Sequence, residues 1–238
     1  MTNTSIPSRR LSVALAGLMA VAAATATIAI TGTADGQASN MVGMHHGAAT
    51  AQGHGASVTA RQLRFHDAMR KLWEDHITWT RMAIVSFAAD APDLKPTEAR
   101  LLANQDDIGN AITPYYGKAA GHALTKLLKE HIIGAVTLMS AAKSGDSAAT
   151  AKAKADWYAN GNKIADFLHS ANPTAWPKPV MRSMMKAHLD ETLDEAVNRL
   201  NGHFAADIRA YDRVHRHILM MADALSAGIM RQFPKRFR

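Results

Sequence analysis

The chain has 238 residues, a formal net charge of +7, 12 His, 13 Met and no cysteine. That length suits one domain or two small ones, and the missing thiols exclude disulfides, thiolate metal sites, iron–sulfur clusters and cysteine nucleophiles. The positive surplus is spread along the chain apart from the tail RQFPKRFR, and aromatic residues do not interleave with it, which argues against nucleic acid as a partner.

Arg9 and Arg10 precede an uncharged run over residues 11–30, followed by small residues up to Ala38. A positive start, an apolar centre and a small-residue exit predict a secretory signal over 1–38, with Gly36-Gln37-Ala38 as the cleavage site. The run is also just long enough to span a bilayer, so an uncleaved membrane anchor through residues 11–30 is the alternative. Either way the remainder is expected to be exported, to the periplasm or the outside of the cell. Residues 39–60 lack periodicity and read as a flexible linker. Met41, Met44, His45, His46 and His54 crowd into it, and these are ligands suited to copper or nickel. The linker is expected to be a weak capture site, with a merely polar tail as the plainer reading.

Residues 61–234 then alternate helical patterns with loops, and no segment alternates like a strand. A first helix is predicted over about 58–88, striped by Phe65, Met69, Leu72, His76, Trp79 and Ala83. Thr97 is expected to cap a second through NQDDIGNAI, and Thr113-Pro114 to open a third that runs to about 143 through Leu124, Leu128 and His131. A fourth is expected from Asp146 or Ser147 to about 168, striped by Trp157, Asn160 and Ile164. A fifth spans about 180–200 with Met181, Met184, His188 and Thr192 on its stripe. A sixth spans about 204–232 with Ile208, Tyr211, His215, Ile218, Ala222 and Leu225 facing inward. Six helices on short loops predict an all-α fold, an antiparallel bundle.

The stripes carry polar residues near mid-helix, at similar depth. His76 follows Glu74 and Asp75; Asn104, Gln105 and Asp106 lie on the second helix; Glu130 precedes His131; Asp212 precedes His215 by three; His188 lies on the fifth. Facing helices of a bundle bring mid-helix positions into one layer, and imidazoles with carboxylates there are how bundles hold metals. The expected ligands are His76, His131 and His215, with Glu74, Asp106, Glu130 and Asp212 as ligands or supports. For any one of these histidines alone, a core imidazole hydrogen-bonded to a neighbour is the commoner case; the repetition raises the metal reading, because buried charge is unfavourable unless paired or metal-bound. Methionines at Met181, Met184, Met185, Met220 and Met221 outline a Cu(I) path, although methionine on a stripe is ordinarily core filling. His-x-x-x-His, H-E-x-x-H, Walker and G-x-S-x-G patterns are absent.

The blocks LWEDHITWTR, NQDDIGNAITPYYG, LLKEHI and AYDRVHRHILMMADALSAGI, in that order over about residues 72–234, resemble a family of small bacterial all-helical proteins. The labels attached to that family, glycosyltransferase and acetylglutamate kinase, disagree with each other. Neither suits these residues: QDDI falls in a helical pattern rather than a sugar-nucleotide site, and no phosphate-binding loop is present. The resemblance implies the helical fold and its limits, and no mechanism. The leading expectation is therefore an exported bundle that binds a transition metal ion, copper before others, for buffering, storage or tolerance. Its rivals are a metal-assisted oxidoreductase or hydrolase using the same layer, and a metal-free structural or partner-binding protein of the cell envelope.

Overall fold

A computed structural model describes residues 58–238. The predicted signal or anchor and the linker ligands Met41, Met44, His45, His46 and His54 lie outside the described residues. Among those described there is no strand. Six helices follow in chain order: α1 Ala60–Ala88, α2 Leu94–Tyr116, α3 Lys118–Ser144, α4 Ser147–Ala171, α5 Lys178–Leu200 and α6 Phe204–Gln232. Each packs on the next, and α6 returns to pack on α1, so the bundle closes into a ring with α1 also touching α5. No described helix is long and apolar enough to cross a membrane.

Local chemistry sets the ends. Thr59 caps α1 reciprocally with Gln62: each side chain accepts from the other's backbone N–H, at 3.2 and 2.7 Å. Asp146 caps α4 as expected, accepting from the Ala149 N–H at 2.9 Å. Two expected boundaries moved. Thr97 lies buried inside α2 rather than capping it, and Pro114 sits in the last turn of α2 rather than opening α3. A proline there costs only the helical partner of the Asn110 carbonyl, on an exposed position near the end of the helix. The break comes instead at Gly117, whose φ of +85° a side-chain-bearing residue would resist.

Close approaches position the ring. A Cβ on Gly121 would lie 2.7 Å from the Gly109 carbonyl oxygen and would collide with the Thr113 hydroxyl, so these two glycines let α2 and α3 cross almost backbone to backbone. Gly228 on α6 makes the same allowance for the indole of Trp176, which the α4–α5 loop folds into the core with its Nε1 donating to the Ala224 carbonyl. The basic tail does not dangle. Pro234–Phe237 forms a 3₁₀ turn, and Phe237 packs between Phe65 and Tyr115 at ring separations of 5.1 and 5.5 Å, so the bundle continues past the expected limit at 234.

Candidate functional site

The interior of the ring is apolar at one end, where Met181, Met185, Leu189, Ile218, Met221 and Leu225 are buried. At mid-depth it changes character. Every helix turns a polar side chain into the ring there: His76 from α1, Gln105 with its hydrogen-bonded neighbour Asn104 from α2, His131 from α3, Asn160 from α4, His188 from α5 and His217 from α6. His188 is the hub. Its ring centroid lies 6.0 Å from that of His76, 6.1 Å from His131 and 6.5 Å from His217. His76, His131 and His188 are each buried, His188 with 4% exposure, and His217 reaches partway to solvent.

Their hydrogen bonds decide which nitrogens carry lone pairs. The Asn160 amide nitrogen donates to the Leu127 carbonyl, so its oxygen accepts from His131 Nδ1 at 3.1 Å and leaves Nε2 of that ring bare. His217 Nε2 donates to the Met184 carbonyl at 2.9 Å, leaving its Nδ1 bare. Gln105 is fixed by donating to the Leu101 carbonyl, so it also donates to His76 Nδ1, at 3.3 Å, and its own Oε1 has no partner. His188 Nδ1 is buried with no partner at all. Polar atoms in cores are ordinarily satisfied, and two orphans in one layer mark it as unusual.

Electrostatics keep the layer neutral. Burial, with the nearby His131, lowers the pKa of His76 to about 3 against a small opposing effect from Gln105. Burial lowers His131 to about 4 despite the Asn160 bond. His188 is pushed well below the usual histidine range by burial and then by its three imidazole neighbours. Neutral imidazole is the metal-ligating form.

The carboxylates expected beside these histidines are elsewhere. Glu130 is exposed and faces Lys126 at 4.0 Å; Asp106 pairs with Lys129 at 2.7 Å; Asp212 and Glu74 are exposed. A residue one place before a histidine lies about 100° around the helix from it, so Glu130 turns outward when His131 turns in. His215 is a second correction. It lies on the outer α1–α6 seam, where its Nε2 meets Glu74 Oε1 at 3.3 Å and Tyr211 stacks on it at 5.6 Å. The inward stripe of α6 is Asp207, Ala210, Val214, Ile218 and Met221, one position away from the expected Ile208, Tyr211 and His215. His217, three residues from Val214 and four from Met221, replaces His215 in the layer.

A second buried polar group lies farther along α1, α5 and α6, and sequence reasoning missed it. Arg81 grips the fully buried Asp207 with both guanidinium nitrogens and reaches Glu195 Oε1 at 3.0 Å, while Arg199 approaches Asp207 at 3.5 Å. Burial raises the Glu195 pKa to about 7 against the pull of Arg81. Asp207 hid because the apolar Ile208 beside it was the natural choice for the core.

Two surface grooves have volumes of about 440 and 450 Å³, one between α2 and α3 and one between α4 and α5, and none of the four layer histidines lines either. A metal held by three imidazoles in tetrahedral geometry would bring ring centroids to roughly 5 Å, given metal–nitrogen bonds of about 2.0–2.1 Å. The separations of 6.0 and 6.1 Å exceed that by about an ångström, and among the described residues no group of three His, Asp or Glu side chains is already drawn together around an ion position. No family model, curated protein or solved structure matches this chain.

Proposed function

We propose that the protein is an exported transition-metal-binding bundle for buffering or storage, with copper as the favoured ion, and that the buried layer of His76, His131 and His188 is its site. The supporting observation is the orphan Nδ1 of His188, a ring nitrogen buried without a partner in the core, on a ring 6.1 Å from that of His131. His76 completes the set through Nδ1 once that nitrogen gives up the 3.3 Å bond it accepts from Gln105, whose amide keeps its bond to the Leu101 carbonyl. Closing the rings onto an ion takes a shift of about an ångström in their separations. Asn160 holds the outer nitrogen of His131, as supports around metal-bound histidines do. An all-nitrogen set lined by methionine, with its carboxylates turned outward, suits copper or zinc rather than calcium or magnesium. Neither surface groove is lined by a layer histidine, which favours a closed storage site over an enzyme's open coordination position.

The test is elemental analysis and thermal unfolding of the full chain carrying Met41→Ser, Met44→Ser, His45→Ser, His46→Ser and His54→Ser, which removes the linker ligands. About one ion per chain is expected, with a stabilisation of about 2.7 kcal/mol when the free ion is a hundredfold above Kd. His188→Leu and His131→Leu abolish both effects, and His215→Ala leaves both intact. A chain that holds no metal and whose unfolding responds to neither Cu(I), Zn(II) nor Ni(II) is a structural bundle with a hydrogen-bonded layer.

A further inference from the structure

His217 and Asn160 are the layer side chains that reach partway to solvent, and the His217 side is bordered by sulfur. We propose that the α5–α6 seam is a soft-metal entrance, in which Met220, Met184 and His217 hand Cu(I) from solvent to His188. This rests on the metal reading of the layer. Met220 lies three residues beyond His217, on the same face of α6, and is 58% exposed. Met184 lies one turn before His188 on α5, is half-buried, and its carbonyl holds His217 by the Nε2 proton. That bond turns a bare Nδ1 away from Met184, and the His217 ring lies within 16° of parallel to that of His188. The path runs from an exposed thioether to a half-buried one, then to a half-buried imidazole and a buried one.

Met181, Met185 and Met221 need no such role, because they are buried among leucine and isoleucine where methionine fills space. An exposed methionine on the seam fills nothing. What it offers that leucine does not is a polarisable sulfur, a ligand that selects Cu(I) over harder ions. Each transfer exchanges one ligand for the next at constant oxidation state, so no electron or proton has to be supplied from outside.

The experiment supplies Cu(I) anaerobically as its bicinchoninate complex to the full chain with the five linker substitutions, following the loss of chelator colour by stopped flow. Met184→Leu with Met220→Leu keeps the side-chain volume. The double variant is expected to load about tenfold more slowly, with Cu(I) affinity within about twofold and zinc loading unchanged, because only the soft ion uses the sulfurs. Equal Cu(I) loading rates in the double variant and its background overturn the entrance and leave the buried site standing. A background protein that takes up no Cu(I) at equilibrium overturns both. Equal slowing of zinc and copper shows a packing effect and also overturns the entrance.

Discussion

The two buried polar regions share α1, α5 and α6 and lie roughly 10 Å apart along the bundle, by the rise from His188 to Glu195. They solve the same problem in opposite ways. Around Arg81 the groups are charged, and opposite charges meet: Asp207 takes both guanidinium nitrogens and Glu195 takes one. In the histidine layer the groups are neutral, no carboxylate enters, and hydrogen-bonding capacity is left over at His188 and Gln105. The ion cluster finds its counter-charges within the protein, with only Glu195 Oε2 left without a partner. A neutral layer with spare lone pairs is suited to a cation that arrives from outside.

The sharpest way to break this contrast is to remove one member of the ion cluster. Arg81→Met would strand Asp207 as a buried carboxylate and leave Glu195 protonated, and the expected loss is about 3–5 kcal/mol by urea unfolding at pH 7. Replacing all three residues with apolar ones of similar size should recover most of it. A loss below about 1 kcal/mol for Arg81→Met alone would mean that water, not Arg81, satisfies these acids.

Acid separates the regions by sign. The histidines have folded pKa values far below the unfolded value near 6.5, so the unfolded chain binds more protons below that pH. Their contribution is complete above pH 6.5 and is lost as pH falls toward the folded values, about 3 for His76 and about 4 for His131, with His188 also held well below the usual range. Glu195 runs the other way: its folded pKa of about 7 exceeds its unfolded value, so its contribution is complete below about pH 4.5 and is lost as pH rises toward 7. Three imidazoles outweigh one carboxyl, and apo protein should lose about 4 kcal/mol between pH 6.5 and 4.5. His188→Leu should make that fall shallower by about 1.4 kcal/mol per pH unit. An unchanged slope in this variant would show that the imidazole is charged in the folded state.

The smallest effect is expected at the misplaced histidine. His215→Ala breaks only a half-exposed pair with Glu74, and should change stability by less than about 1 kcal/mol. A larger loss would mean that the outer α1–α6 seam carries structural weight that its exposure does not show.

How much of this was readable beforehand depends on the kind of signal. His76 and His131 were found because each sits on a long apolar stripe, where three or four residues on either side are unambiguous. His188 was visible on its stripe too, with Asp190 and Glu191 after it rather than an acid one or three places before it. Glu74, Asp106, Glu130 and Asp212 were chosen for nearness in sequence, which on a helix places neighbours on different faces. On α6, where Asp207 and Ile208, Val214 and His215 compete for the inside, periodicity alone permits two stripes about 100° apart.

The sequence by itself determined six helices, their order and most of their ends, because capping residues, glycines and apolar spacing act within a few residues along the chain. It also determined that polar groups would lie at mid-depth. Only the tertiary structure decided which of them meet. The rotation of α6 is set by burying Asp207 against Arg81, a residue on a different helix 126 positions away. That rotation brings His217 rather than His215 beside His188. Helix formation is a local equilibrium, whereas the facing of each helix is fixed by the best joint packing and charge pairing of all six.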